Sequence, residues 1–275
     1  MNFIKKGVNF YINSSIHVAL AVTSLAAVTR LELVGHLRTN VLVFIFLGTI
    51  SGYNFVKYAG IAKLHHYSLT KNLRIIQIFS LVAFLALLYF FSVQSREFWI
   101  LTGLMGLSTL LYSIPFLPKH TNLRNLKGTK IFIIAFVWAG VCVFLPLVDI
   151  MPLFTLPVIL KWIQIFLFVI SITIPFEVRD LKYDPDGLGT LPQLIGIKKV
   201  KTLGYVFLIM VMLLQVWIAE FQFWGMISTI LIGLISIWAI VKTRKDQPKY
   251  YTSFWVEAIP ILWFLLELGA LYGKN

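Results

Sequence analysis

Acidic residues are scarce in this sequence, which has 11 Asp and Glu against 24 Lys and Arg in 275 residues. Charged residues make up only 13% of the chain, whereas a soluble domain typically carries about a quarter. Hydrophobic residues account for 59%, and the mean hydropathy is +0.86. A chain this apolar cannot cover itself with polar surface, so lipid must form part of its solvent. The composition therefore excludes a soluble domain.

Cysteine is almost absent as well. The single cysteine, Cys142, lies inside an apolar run, which rules out an internal disulfide and offers no metal site. The N-terminal residues include Lys5 and Lys6 but no apolar core followed by a small-residue cleavage site. They are therefore not expected to be a signal peptide, and we expect a short interfacial segment there instead.

Nine stretches of the chain are long and apolar enough, or nearly so, to cross a bilayer. A spanning helix needs roughly 20 mostly apolar residues, and backbone inside lipid must satisfy its own hydrogen bonds. Alternation with a period of two is absent. We therefore predict an all-α integral membrane protein, one domain over residues 1–275 with about nine transmembrane helices. The predicted spans are 14–30, 38–62, 73–93, 97–117, 130–148, 153–178, 201–219, 222–242 and 255–272.

The Lys and Arg residues lie mostly on alternate connections between these spans. The positive-inside rule places the richer side in the cytoplasm, so we predict a multi-pass protein of a bacterial cytoplasmic membrane with its N-terminus inside. This distribution reports orientation, and it argues against a nucleic-acid partner despite the net charge of +13. The five exceptions are Arg30, Arg38, Arg96, Lys161 and Lys274.

Four carboxylates gather in one stretch at the end of the sixth predicted span. If the helix continues through this stretch, three of them share one face, because residues three, four and seven apart are neighbours on a helix. Such a face favours a hard cation, and Mg²⁺ is suited to a few carboxylates with water and substrate phosphates. The alternative is a solvated loop paired with Arg179 and Lys182. The four are Glu177, Asp180, Asp184 and Asp186.

A second group of residues is basic and lies on the same predicted side. Clusters of this kind suit a phosphate or diphosphate head group. The alternative is that they set orientation and attract anionic lipids. The group comprises Lys57, Lys63, His65 and His66 near Asn54, and Lys119, His120, Arg124, Lys127 and Lys130 after the fourth span.

The stretch that begins at Arg179 resembles the second aspartate-rich motif of the UbiA superfamily of intramembrane prenyltransferases. That motif is DxxxD, here Asp180 and Asp184, followed by Gly and by Thr190-Leu-Pro192. Ser51-Gly-Tyr-Asn54 stands where the family's first motif begins. A third stretch, 111–138, looks like the family's connection between its fourth and fifth helices.

This resemblance implies both a fold and a chemistry. Members of the family transfer a prenyl group from a polyprenyl diphosphate to an acceptor, commonly an aromatic ring, with Mg²⁺ on the diphosphate. Carried over by position, Asp180 and Asp184 would hold one Mg²⁺. Asn54, Lys119 and Arg124 would lie near the diphosphate.

The first motif departs from the family pattern. Phe55, Tyr58 and Ala62 stand where aspartates are expected, and none can bind Mg²⁺. Lys57 or Lys63 could instead pair directly with a phosphate oxygen. One hypothesis is thus a divergent prenyltransferase with one metal site and a basic substitute for the other.

The altered motif leaves other hypotheses open. One is a non-catalytic protein of the same fold that binds an isoprenoid lipid or a partner protein. A small-molecule carrier is disfavoured, because the sequence shows no pair of Gly/Pro-broken helices in matching halves.

Overall fold

The computed structural model describes residues 2–64, 71–114, 128–183, 189–218 and 223–272, and all regular structure within these ranges is helical. Side chains are described from residue 5 to 58 and, within the same ranges, from residue 73 onward. The predicted all-α architecture is confirmed. The helices are α1 (Asn2–Asn13), α2 (Ile16–Leu33), α3 (Thr39–Leu64), α4 (Lys71–Ser92), α5 (Arg96–Ser113), α6 (Lys130–Ala139), α7 (Leu145–Leu147), α8 (Leu156–Asp180), α9 (Leu191–Ile195), α10 (Ile197–Ile218), α11 (Phe223–Lys242) and α12 (Ile259–Tyr272).

Eight of the described helical segments are long and apolar enough to span a membrane. Two of them contain π-helical turns: Gly140–Phe144 joins α6 to α7, and Tyr251–Val256 precedes α12. The predicted span at 97–117 corresponds to α5, which is helical but is not one of the eight. Its first turn holds Arg96 and Glu97, which reduce its apolar character.

The core is built around α2 and α8. Helix α8 packs against α6, α10 and α11, and α2 packs against α3 and α12. Small buried side chains on α2 allow this close approach, as is usual where membrane helices meet. Cys142 is buried in the same core, and its thiol donates to the Val22 carbonyl oxygen at 3.3 Å. The small side chains are Ala19, Ala21, Ala26 and Ala27.

In contrast, α4 lies at the periphery. Most of its side chains are exposed, including Ile78, Leu81, Leu85 and Tyr89. A continuous exposed apolar face of this kind indicates contact with a membrane. We name the two ends of the bundle by α8: the motif end is where α8 finishes at Asp180, and the far end is where α8 begins.

Buried polar side chains form a network near the far end. Lys161 is fully buried, and its ammonium lies 2.7 Å from both Glu32 Oε2 and Gln164 Oε1. Gln215 donates to the same Glu32 oxygen at 3.1 Å. The ammonium also lies 4.9 Å from the centre of the Trp263 ring, a cation–π distance. Four helices are thereby joined through polar contacts inside the apolar bundle.

Two exceptions to the charge pattern are therefore not loop charges. Lys161 is part of the buried network, and Arg30 is buried with its guanidinium donating to the carbonyl oxygens of His36 and Pro146. The positive-inside rule concerns residues in loops and near span ends. When Arg30 and Lys161 are left out of the count, three basic residues remain as exceptions. The difference in loop charge between the two sides is therefore larger than the sequence count indicated.

Candidate functional site

The end of α8 brings the second aspartate-rich motif to one end of the bundle. The chain then re-enters regular structure at α9, where Thr190 is the N-cap and Pro192 lies in the first turn. Gly189 has φ 72° and its carbonyl oxygen accepts from Gly128 N at 2.7 Å. The segment before α6 is thereby tied to the segment before α9. The Gly-Thr-Leu-Pro part of the motif thus has a structural role, which is to fix the backbone beside the site.

Lys130, the first residue of α6, stands between two carboxylates of α8. Its Nζ atom lies 2.8 Å from Glu177 Oε1 and 3.8 Å from Asp180 Oδ2. Glu177 is 1% exposed, so its charge requires this partner. Lys130 was predicted to belong to the basic group after the fourth span, and the structure pairs it with two carboxylates of α8.

Arg179 holds the other oxygen of Asp180. Its Nη2 and Nε atoms lie 2.7 and 2.9 Å from Asp180 Oδ1, and Nη1 donates to Thr252 Oγ1 at 2.7 Å. Thr252 belongs to the π-helical turn before α12, so Arg179 links the second motif to the last span. Asp180 remains about one quarter exposed.

These contacts bear on the Mg²⁺ site expected at Asp180 and Asp184. Within the described ranges, no three His, Cys, Asp or Glu side chains converge as metal ligands. Among the described residues, Asp180 Oδ2 makes only the long contact to Lys130 and can still take a ligand bond. Mg²⁺ is commonly held through one or two carboxylates together with water and substrate phosphates. Asp180 therefore fits as a single protein ligand, and Asp184 lies outside the described residues.

Asn54, expected near the diphosphate, is occupied by protein contacts. Its Oδ1 accepts from Ser15 Oγ at 2.7 Å, and its Nδ2 donates to the Ser14 carbonyl oxygen and to Ser80 Oγ. The residue is buried, at 3% exposure. It joins the turn between α1 and α2 to α3 and α4, so a diphosphate would reach this amide only by displacing one of these bonds.

The basic residues expected at the diphosphate are only partly described. The Lys57 ammonium donates to the Asn13 carbonyl oxygen at 3.2 Å, and Tyr58 OH donates to the same oxygen at 2.9 Å. Both bonds tie α3 to the end of α1. The side chain of Lys63 lies outside the described residues, as do the residues Lys119 and Arg124.

Glu257, which sequence analysis did not single out, also belongs to this site. It lies directly after the π-helical turn at the start of the last span and is partly buried. Its carboxylate has no hydrogen bond or ion pair with the described residues. The charges that act on it are Lys57 and Arg179, and it acts in turn on Tyr53. The signal in the sequence was a lone carboxylate in an apolar span, which marks functional sites in membrane proteins.

Lys57 of α3 and Arg179 at the end of α8 are therefore within electrostatic reach of Glu257 at the start of the last span. Two cations and a carboxylate from three separate elements gather at the motif end. Such a combination can bind an anion and a hydrogen-bond donor next to each other.

Two solved structures share this architecture. The apo structure of a UbiA homologue from Aeropyrum pernix K1 matches with a TM-score of 0.66 and 15% identity, over 94% of this chain and 99% of that chain. A structure of digeranylgeranylglyceryl phosphate synthase matches with a TM-score of 0.59 and 16% identity, over 98% and 99%. No protein-family model and no curated protein sequence matches the chain.

The helices, their apolar faces and these likenesses define an integral membrane protein with many spans. Its fold is that of the UbiA prenyltransferases. The resemblance drawn from the second motif is thus confirmed for the fold.

Proposed function

We propose that this protein is a UbiA-like prenyltransferase, which moves a prenyl group from a polyprenyl diphosphate to an aromatic acceptor with the assistance of one Mg²⁺. The observation that carries the proposal is the cluster of charges at the motif end. There Arg179 is fixed by Asp180 and Thr252, and Asp180 Oδ2 makes only a long contact to Lys130 among the described residues. Structural neighbours of the same fold support the assignment.

In the proposed reaction, the cations of the chain bind the diphosphate. Arg179 is fixed by Thr252 and Asp180, so it presents its guanidinium in one place. Lys57 exchanges its bond to a backbone carbonyl oxygen for a charge-assisted bond to a phosphate oxygen, which is the stronger interaction. Lys130 keeps Glu177 neutralised, so that carboxylate does not repel the incoming anion.

Asp180 and, by the family pattern, Asp184 would hold the Mg²⁺. When bound, the metal would neutralise the diphosphate leaving group and so assist ionisation of the C–O bond. The basic residues Lys63, Lys119 and Arg124 are proposed to contribute to the same diphosphate site.

A second candidate function is supported by Asn54. Its amide makes three hydrogen bonds that join the turn between α1 and α2 to α3 and α4. The first motif has thus become structural, as expected of a non-catalytic protein of this fold that binds an isoprenoid lipid or a partner protein.

One experiment separates the two functions. Purified protein is incubated with Mg²⁺ and geranyl, farnesyl or geranylgeranyl diphosphate, and both binding and diphosphate release are measured. We expect Mg²⁺-dependent binding and release for at least one chain length. Binding without release would favour the non-catalytic function, and the absence of binding would overturn both.

We also propose a bacterial cytoplasmic membrane location with the N-terminus inside. A fluorescent reporter fused after Asn275 is expected to stay dark and a phosphatase reporter to be active, because nine spans put the two termini on opposite sides. Eight spans would return the C-terminus to the cytoplasm. A fluorescent fusion would therefore contradict the nine-span topology and show that α5 does not cross the membrane.

A further inference from the structure

A second buried carboxylate, Glu267 of α12, lies close to the polar network at the far end. Trp263 is one helical turn earlier on the same face of α12, and its ring centre is 4.9 Å from the Lys161 ammonium. That ammonium is 2.7 Å from Glu32 Oε2. Glu267 is itself buried, and its Oε1 atom is hydrogen-bonded to Ser228 Oγ of α11. Two carboxylates and one ammonium are thus enclosed together among α2, α8, α11 and α12.

The Lys161 ammonium is already used by other partners. It donates to Glu32 Oε2 and to Gln164 Oε1, both at 2.7 Å, and the Trp263 ring covers a further side. An ammonium group has three protons to donate, and these contacts occupy its surroundings. Lys161 therefore forms its ion pair with Glu32 and makes no ion pair with Glu267.

Glu32 adds an unsatisfied acceptor to the cluster. Its side chain is 1% exposed, and its Oε1 atom is buried without a hydrogen-bond partner, whereas Oε2 accepts from both Lys161 and Gln215. A buried acceptor without a donor costs free energy. The cluster therefore holds more acceptors than donors, and one bound proton would remove an acceptor and add a donor.

Ser228 indicates where such a proton belongs. Its hydroxyl oxygen lies within hydrogen-bond reach of two acceptors, the Gly225 carbonyl oxygen at 3.0 Å and Glu267 Oε1. A hydroxyl group has one proton, so it can donate to only one of the two. If the Glu267 carboxyl group carries a proton, it donates to Ser228 Oγ while the hydroxyl donates to Gly225. Both contacts are then satisfied.

Other basic groups of the packed helices are directed elsewhere within the described residues. Helices α10 and α11 carry their lysines at the motif end, where α11 finishes at Lys242. Arg30 of α2 donates to the carbonyl oxygens of His36 and Pro146. With both carboxylates ionised, the cluster would therefore keep one uncompensated negative charge inside a membrane bundle, which is costly.

We propose that Glu267, with Ser228, Glu32 and Lys161, forms a proton-binding site at the far end of the bundle, and that the folded protein holds one proton there at neutral pH. The site lies at the opposite end from Asp180, so this inference is independent of the proposed function. The bound proton makes the cluster neutral and joins α11 to α12. Its loss leaves two carboxylates with one ammonium, and their repulsion destabilises the far end.

The dependence of stability on pH tests this proposal. A glutamate in water titrates at about pH 4.3, so the unfolded chain has released the proton at neutral pH while the folded protein retains it. Unfolding then releases one proton, and stability falls as the pH rises. Glu267→Gln resembles the protonated form and should lack this dependence. We expect the ratio of the unfolding equilibrium constants, wild type over Glu267→Gln, to rise about tenfold per pH unit between about pH 5.5 and 7.5. Denaturant titrations in detergent measure both constants.

Glu97→Gln is the matched control. Glu97 is an exposed glutamate in the first turn of α5, at the same end of the bundle. The corresponding ratio for this variant should not change with pH. A constant ratio for Glu267→Gln would overturn the proposal. Wild-type stability that depends on Na⁺ concentration instead of pH would also overturn it, because a metal ion would then neutralise the cluster.

Infrared spectroscopy gives a second measurement, which does not need a stable Glu267→Gln variant. A protonated carboxylic acid has a carbonyl stretching band that a carboxylate lacks. The folded wild type should show this band at neutral pH. Ser228→Ala removes the hydrogen-bond acceptor without changing the charge, so the Glu267 band should move to higher frequency. The absence of the band in the wild type, or an identical band in Ser228→Ala, would contradict the proposal.

Discussion

Lys161→Met is expected to lower the free energy of unfolding by about 3–5 kcal/mol, because it leaves a buried carboxylate without its cation. Lys161 is fully buried, 2.7 Å from Glu32 Oε2, and also contacts Gln164. Inside an apolar bundle no water can replace these bonds. Thermal or denaturant unfolding of the purified protein in detergent measures the effect.

A double substitution provides the control. In Lys161→Met with Glu32→Leu, both charges are removed, and replacing a buried ion pair by apolar side chains is often neutral or stabilising. Much of the lost stability should therefore return. If the single variant unfolds like the wild type, Glu32 is not held as an ion by this network, and the polar contacts at the far end do not stabilise the fold.

Asp180→Asn is expected to weaken Mg²⁺-dependent binding of geranylgeranyl diphosphate by about a hundredfold. The substitution preserves the shape of the side chain but removes the negative charge that the metal requires. The loss of one strong charge-assisted ligand corresponds to about 3 kcal/mol, which is roughly a factor of a hundred in affinity. Binding is measured at several Mg²⁺ concentrations, so that the metal-dependent part is separated from the contribution of the basic residues.

Asp246→Asn is the matched control. Asp246 is exposed on the connection between α11 and the last span and is paired with Lys182 at 2.7 Å. Its hydrogen bond to Lys182 lowers the pKa of Asp246 below the ordinary value, so Asp246 also carries a full charge at neutral pH. Its substitution should nevertheless leave diphosphate binding unchanged, because Asp246 is exposed and contacts Lys182 rather than Arg179 or Lys130. Equal binding in wild type and Asp180→Asn would leave Asp180 with a single role, that of counter-ion to Arg179.

The parts of the fold that could be predicted from the sequence are those determined by local composition. Long apolar stretches specify spanning helices, since no other structure satisfies the backbone in lipid. Helix α5 is less apolar than the eight candidate spans for an equally local reason, because Arg96 and Glu97 occupy its first turn. The second aspartate-rich motif could also be recognised, because its residues are close together in the chain.

Contacts between distant spans could not be predicted in this way. Lys161 lies within a predicted span and is counted there only as an exception to the charge pattern, and the packing of α8 against α2 shows its partner. Arg179 and Thr252 are 73 positions apart, so no spacing rule connects them. Asn54 was predicted from the motif position to lie near the diphosphate. Its three hydrogen bonds come from the turn before α2 and from α4, and no local pattern shows that these segments lie beside α3.

The single buried cysteine has a practical consequence for studying this protein. Cys142 is enclosed in the core, with its thiol bonded to the Val22 carbonyl oxygen. Thiol-reactive labels will therefore find almost no background in the folded protein, and the native cysteine need not be removed. A pair of spin labels, one on α1 and one near Tyr250, would follow the contacts that Asn9 makes with Lys249 and Tyr250. Changes in that distance on adding a prenyl diphosphate would report directly on how the N-terminal helix responds to the ligand.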